Sequence, residues 1–315
     1  MTLVRVAAWV AVLATSVTAC SVSIDPSQGD VAQAVDVTAE AQVEGGAAGE
    51  DEVATPTAAP DDLAAPTPEG EQEPPPPTSV YADLAGDYRV IVDRTLGHDT
   101  AAFSQGLLFD GSRMFESRGQ YGESALTEID PDTGAVLRRV DLADEFFAEG
   151  LALVDGRLIQ LTWQEQRAFV WDADSFAPLG EFTYDGEGWG LCHDGTDLWM
   201  SNGSATLTRR DPIDFAPLEL IDVVLDGQPV VRLNELECIE GLIWANVWLT
   251  DLIVVIDPGS GSVVATIDAA GLLGQLGPTG QEDVLNGIAY DATRDVVVLT
   301  GKYWPAMAEI SLVAG

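Results

Sequence analysis

The chain has 315 residues, 46% of them hydrophobic, which is enough for a large folded domain with a sizeable core. Its 52 acidic residues against 14 basic ones give a net charge of −38, which excludes nucleic-acid binding by phosphate neutralisation. Two histidines and three cysteines exclude a His-rich zinc centre and a disulfide-built scaffold, whereas 31 glycines, 17 prolines and many Asp-led turns point to an all-β chain.

In chain order, residues 1–20 come first and read as an export signal. Arg5 precedes an apolar run from Val6 to Leu13 that is too short to span a bilayer. Val17-Thr18-Ala19-Cys20 then resembles a bacterial lipobox, in which Cys20 is lipidated and becomes the new N-terminus. The alternative is an ordinary signal peptide with an incidental cysteine. Either way the mature protein is expected outside the cytoplasm, and the lipid on Cys20 would tie it to the membrane of the cell envelope. Residues 21–85 form a second zone, whose charged side chains are all acidic and which includes the run Pro74 to Pro77. Such a composition buries too little apolar surface to order itself, so a disordered tether is predicted.

The remainder, 86–315, is an internal repeat. Five segments share a polar or large residue, usually a glycine, and then apolar alternation into a turn. They are Ser104-Gln105-Gly106-Leu107, Ala148-Glu149-Gly150-Leu151, Gly188-Trp189-Gly190-Leu191, Asn234-Glu235-Leu236-Glu237 and Leu285-Asn286-Gly287-Ile288. Gln105, Glu149, Trp189, Glu235 and Asn286 stand 44, 40, 46 and 51 residues apart. A second β-rich run follows each segment, a third follows in most, and fourth runs are legible at 136–140, 179–184, 218–224 and 263–267. Four strands in about 45 residues is one propeller blade, so a five-bladed β-propeller is expected. The chain ends after the third strand of the last blade, so Tyr88–Val92 is predicted to supply its fourth strand and close the ring. A β-sandwich is the alternative, disfavoured by the regular spacing.

First strands line a propeller's channel, so the five slot residues are expected to converge at one mouth. The ends of the second strands would bring Trp163, Asn202, Trp248 and Lys302 to the same face. Lys302 is the only lysine in the chain, every other positive side chain being arginine. A compact ammonium presents its charge differently from a guanidinium fork. Other apparent motifs fail: Gly186-Glu187-Gly188-Trp189-Gly190 lacks the strand–helix context of a phosphate loop, and Thr300-Gly301-Lys302 lacks the upstream glycine of a P-loop. Asn202-Gly203-Ser204 is a formal glycosylation sequon that a bacterial lipoprotein would rarely use.

Several strings now carry a resemblance. Phe103-Ser104-Gln105-Gly106-Leu107, Glu149-Gly150-Leu151, Gln160-Leu161-Thr162-Trp163, Gly188-Trp189-Gly190-Leu191, Leu233-Asn234-Glu235-Leu236-Glu237, Trp244-Ala245-Asn246-Val247-Trp248 and Val284-Leu285-Asn286-Gly287 run in the order seen in one family. Thr300-Gly301-Lys302 with Trp304-Pro305 completes the set. Together they resemble the plant and bacterial type of glutaminyl-peptide cyclotransferase, whose fold is a five-bladed propeller. The resemblance implies cyclisation of an N-terminal glutaminyl residue to pyroglutamyl with release of ammonia. It also implies that Glu149 is the catalytic general acid/base, and that Asn234 and Lys302 hold a carbonyl or amide oxygen. Trp163, Trp189 and Trp248 would wall the substrate pocket, and Gln105 would bind substrate. An aromatic setting is expected to raise the proton affinity of Glu149.

No cofactor is required by this chemistry, although Glu149, Glu235 and Asn286 leave room for a structural cation in the channel. The expected partner is a peptide or protein with an N-terminal glutamine, acted on by a monomer that binds no nucleic acid. Two other functions stay open: a non-catalytic propeller binding protein and a calcium-dependent propeller hydrolase. Cys192 and Cys238 occupy equivalent places in neighbouring repeats and are candidates for a disulfide closing a 46-residue loop, the alternative being two small buried thiols.

Overall fold

A computed structural model describes residues 78–315. The export signal, Cys20 and the tether up to residue 77 lie outside the described residues. The described chain is all-β, with a single helical turn, α1 (Leu272–Gln275). After β1 (Gly86–Gly97) it runs as successive antiparallel meanders. The first is β2 (Ser104–Asp110), β3 (Arg113–Arg118), β4 (Ala125–Ile129) and β5 (Val136–Asp141). The second is β6 (Ala148–Val154), β7 (Arg157–Thr162), β8 (Arg167–Asp172) and β9 (Pro178–Thr183). The third is β10 (Leu191–His193), β11 (Leu198–Met200), β12 (Thr206–Arg210) and β13 (Pro217–Asp222), followed by a small ribbon of β14 (Val224–Leu225) and β15 (Gln228–Pro229).

The last two meanders merge into one eight-stranded sheet. It contains β16 (Leu233–Ile239), β17 (Leu242–Val247), β18 (Leu252–Ile256) and β19 (Val263–Asp268), with β20 (Leu285–Asp291), β21 (Val296–Gly301) and β22 (Ala306–Ala314). The N-terminal β1 joins them. It pairs antiparallel with β22, from Tyr88 opposite Ala314 to Gly97 opposite Ala306, and so supplies a fourth strand to β20–β22. It also pairs parallel with β19, from Gly86 opposite Ala265 to Arg89 opposite Asp268, a contact the repeat pattern did not anticipate. The order extends upstream as well, into residues the sequence reading assigned to the tether. Tyr81 and Leu84 are buried, the Tyr81 ring meets Trp244 edge-on at 5.6 Å, and Ser79 Oγ donates to Asp295 Oδ1 at 2.6 Å. A short aromatic anchor thus overrides the acidic composition around it.

Burial falls along each of the first three meanders: β2, β3 and β4 are mostly buried, whereas β5, β9 and β13 are mostly exposed. First strands are therefore central and fourth strands peripheral. Four meanders turn from third to fourth strand on the same device, an aspartate whose carboxylate caps its own turn. Asp130 accepts from Thr133, Asp172 from Ser175, Asp211 from Ile213 and Asp257 from Gly259. Five apolar clusters hold the meanders together. Leu108 and Phe115 pack with Leu158 and Trp171; Ile159 with Leu198 and Phe215; Trp199 with Ile243 and Val254; Trp244 and Ile253 with Ile288 and Val297. The fifth joins the last meander back to the first, through Val298 and Met307 against Leu107 and Met114.

The glycines of the repeat have a packing reason. A Cβ on Gly106 would lie 2.6 Å from the Leu151 nitrogen, and one on Gly150 would lie 2.6 Å from the Trp189 carbonyl oxygen. Adjacent first strands approach backbone to backbone there, which only glycine permits. Cys192 and Cys238, on adjacent first strands, are disulfide-bonded with Cα atoms 5.5 Å apart.

Candidate active site

The first strands do not run regularly into their sheets. Each of β2, β6, β16 and β20 carries a register shift near its start, and the shifts enclose Gln105, Glu149–Gly150, Asn234–Glu235 and Asn286–Gly287 respectively. A β-bulge of this kind leaves the extra residue outside the ladder and re-aims its side chain. In the third meander Trp189 lies just before the short β10. The residue after the second strand, Trp163, Trp248 or Lys302, returns its backbone N–H to the segment ahead of the bulge: Trp163 to Phe147 O at 2.8 Å, Trp248 to Arg232 O at 2.9 Å, and Lys302 to Val284 O at 3.0 Å. Bulge and strand end thus face the same way.

Between them lies a cavity of about 310 Å³. Gln105, Glu149, Trp189 and Asn234 line it from the first strands, and Trp163, Trp248 and Lys302 from the second-strand ends. All seven residues expected to bind or act on substrate are therefore brought together. Glu235 and Asn286 are not on its wall. Asn234 and Glu235 share one bulge and part from each other: Asn234 faces the cavity, while Glu235 Oε2 accepts the Ile288 N–H at 2.9 Å from the neighbouring first strand. Asn286 sits behind Gln105, to which it donates. Asn202 is also elsewhere, its Oδ1 accepting from Ser204 N at 3.1 Å and from Ser204 Oγ at 2.6 Å. A side chain that closes its own turn has no reach left for the cavity.

Glu149 is the buried carboxylate of the cavity. A directed chain of amides orients it: Asn286 Nδ2 donates to Gln105 Oε1 at 3.1 Å, and Gln105 Nε2 then donates to Glu149 Oε1 at 2.8 Å. Because Oε1 is engaged as an acceptor, a proton on Glu149 is carried by Oε2. Burial pushes the Glu149 carboxyl well above the usual carboxylate range; Lys302 opposes this, and Glu187 and Glu165 reinforce it. Lys302 shifts the other way. Burial lowers its proton affinity against the pull of Glu149 and Asp283, and its Nζ lies 4.5 Å from the Phe103 ring centroid.

The walls are aromatic and mutually edge-on. Trp189 meets Trp248 at 5.5 Å and 87°, Phe147 meets Trp163 at 5.7 Å and 64°, and Phe103 meets Phe147 at 5.9 Å and 89°. Phe103, Phe147 and Glu187 were not foreseen as wall or support residues, although a signal existed: each stands two residues before the slot residue of its repeat. Glu187 accepts from both Trp163 and Trp189. Gly119 takes the place that Trp163 holds in the next meander, and a Cβ there would strike the Phe147 ring.

Another buried carboxylate, Glu116, lies on β3. Glu116 accepts from His98 Nε2 at 2.9 Å, Ser104 Oγ at 2.6 Å and Arg118 Nε at 2.8 Å. His98 Nδ1 faces the Trp304 carbonyl oxygen at 2.8 Å, so both ring nitrogens meet acceptors and the ring is an imidazolium. Burial alone would lower the His98 proton affinity, but the charge and hydrogen bond of Glu116, together with the Trp304 carbonyl, outweigh it and the net shift is upward. Burial alone would likewise raise Glu116, yet His98 and Arg118 hold it down at about 2. The network ties Ser104, next to Gln105, to the turn that carries Lys302.

Among the described residues no group of three or more His, Cys, Asp or Glu is placed to hold a metal ion. Residues 72–312 match the profile of the family described as glutamine cyclotransferase. The chain is 39% identical over 219 residues to a glutaminyl-peptide cyclotransferase of Arabidopsis thaliana, a match covering 68% of each chain. Its structure is similar to the crystal structure of Myxococcus xanthus glutaminyl cyclase, with 38% identity and a TM-score of 0.68, covering 72% of this chain and 97% of that one. Repeat, cavity and all three matches agree: the chain belongs to the glutamine cyclotransferase family.

Proposed function

We propose that this protein is a glutaminyl-peptide cyclotransferase, and that its five meanders are the blades of a five-bladed propeller closed by β1. The observation that carries the activity is Glu149: a buried carboxyl of raised proton affinity, held on one oxygen by Gln105 and opening onto an aromatic cavity. The five apolar clusters, the last joining the final meander to the first, support the closed ring.

The reaction needs little beyond geometry and one proton. The α-nitrogen of the N-terminal glutamine bonds to its own side-chain carbonyl carbon, the bond to the amide nitrogen breaks, and that nitrogen leaves as ammonia. A proton must pass from the attacking nitrogen to the leaving one. An ionised Glu149 beside an ammonium and a neutral Glu149 beside a free amine contain the same protons. Burial disfavours the charged pair, so the dry cavity shifts this balance toward the nucleophilic amine. Glu149 then returns the proton to the departing nitrogen. Lys302 and Asn234 would hold oxygen, stabilising the charge that develops on the attacked carbonyl. The three tryptophans hold the side chain folded back on its own amine, the near-attack arrangement.

Glu149, Trp163, Asn234 and Lys302 all line one cavity, which favours a working enzyme over a propeller that has lost its chemistry. Incubating the purified chain with a glutaminyl peptide tests this. The expected result is stoichiometric ammonia and a product lighter by one ammonia; an unchanged peptide refutes the reading. We further infer that the protein is exported as a monomer and anchored to the envelope through a lipid on Cys20. Incorporation of labelled fatty acid that is abolished by Cys20→Ser supports this, and incorporation by the Cys20→Ser variant refutes it.

A further inference from the structure

Glu187 is a carboxylate whose side chain accepts from two of the cavity's tryptophan walls rather than facing the cavity. It lies between β9 and β10, two residues before Trp189. Its Oε2 accepts the indole N–H of Trp163 at 2.8 Å and that of Trp189 at 3.0 Å, while Oε1 accepts Gln164 Nε2 at 2.9 Å. Trp163 ends the second strand of one meander and Trp189 precedes the first strand of the next, so a single oxygen ties the walls across a sheet boundary. An indole N–H is only a donor, and it has no other way to be satisfied than by an acceptor. Burial by itself would make Glu187 harder to ionise. The donors Trp189, Gln164 and Trp163 outweigh it and keep the carboxyl below its ordinary range. Trp189 in turn stands edge-on to Trp248, so the order imposed on one wall reaches the third.

We propose that Glu187 is a positioning residue of the substrate pocket, fixing the spacing of the Trp163 and Trp189 walls by holding both indole N–H groups on one carboxylate oxygen. This rests on the cyclotransferase reading above. A glutaminyl side chain has several free torsions and cyclises only when folded back on its amine. Walls of fixed spacing restrict it to that fold. Walls that can rotate no longer hold that fold, so the side chain must be ordered on the way to the transition state, and loosening them lowers both kcat and kcat/KM.

Glu187→Ala and Glu187→Gln test this as a pair. Both remove the same charge, so any influence of Glu187 on the proton affinity of Glu149 is common to the two, and Lys302 and Glu165 still face Glu149 in each. Only glutamine keeps an oxygen able to accept from the indoles. The expected result is kcat/KM lower by about 10- to 100-fold in Glu187→Ala, with kcat reduced, and within about 3-fold of the parent in Glu187→Gln. The Trp189–Trp248 pair supplies a second readout that needs no turnover, its exciton couplet in far-ultraviolet circular dichroism. The couplet is expected to collapse in the alanine variant and persist in the glutamine variant. Equal kinetic losses in both variants, or an unaltered couplet in Glu187→Ala, overturn the proposal. Should the alanine variant not fold, Trp163→Phe deletes one donor and keeps an aromatic wall; a fall in kcat is expected, and an unchanged kcat overturns the proposal. If the parent chain releases no ammonia, the cyclotransferase reading fails and the couplet alone decides the role of Glu187.

Discussion

Glu149 and Glu116 are both buried carboxylates on neighbouring meanders, and their surroundings shift their proton affinities in opposite directions. Glu116 on β3 is met by an imidazolium, a guanidinium and a hydroxyl, and stays ionised. Glu149 on β6 has one neutral amide donor and an aromatic cavity, and burial holds its carboxyl well above the usual carboxylate range. Burial is common to the two, so burial does not decide what a carboxylate does. The donors that face it decide, and with them whether the group is a structural charge or a movable proton.

The contrast breaks most sharply at Glu149. Glu149→Gln removes the movable proton but keeps the shape, so turnover falls by ~10²–10⁴-fold while the melting temperature hardly changes. Ammonia release and a thermal melt on the same preparation check both halves. Glu116→Ala does the reverse. It removes the carboxylate partner of His98 and leaves Arg118 with Asp99 alone, and costs about 3–5 kcal/mol of stability, read by denaturant unfolding.

A slightly smaller effect is expected at the Cys192–Cys238 bridge. Replacing both cysteines by alanine releases a 46-residue loop in the unfolded chain and costs about 3–4 kcal/mol on the chain-entropy model, leaving the cavity intact. Turnover per folded molecule stays near that of the parent, and unfolding midpoints measure the loss. The smallest effect concerns pH. Glu237, on the same first strand as Glu235, is pushed up to about 8 by burial, against one backbone donor, Tyr290. A carboxyl raised above its unfolded value of 4.5 contributes stability that is whole below pH 4.5 and is lost as pH rises through about 8. Melting temperature should therefore decline across that window, and Glu237→Gln should flatten the decline.

The repeat made much of this legible. A glycine beside four of the five slot residues, and a lone lysine at the end of a second strand, pointed to the cavity before any geometry was known. What escaped was set by events that leave little trace in a pattern of residue types. A two-residue bulge sends Asn234 and Glu235 to different neighbours, and no alternation rule says which goes where. Asn202 looks equivalent to Trp163 and Trp248, yet its short amide is captured by its own turn. Tyr81 and Leu84 are two apolar residues in an acidic stretch, so composition hid an anchor that depends on Trp244 more than 160 positions away. The His98–Glu116–Arg118 network joins residues whose partners only the sheet brings together. The parallel pairing of β1 with β19 joins strands far apart in the chain, which no local pattern encodes.

The central claim is that two buried carboxylates are shifted in opposite directions by what faces them, and a carbon-13 NMR titration of the glutamate side-chain carboxyls tests it most directly. Glu149→Gln and Glu116→Gln assign the two resonances by their disappearance. The Glu149 signal should move only well above the range in which exposed glutamates titrate, and the Glu116 signal should stay that of a carboxylate throughout that range. A Glu149 signal that titrates together with the exposed glutamates would contradict the account.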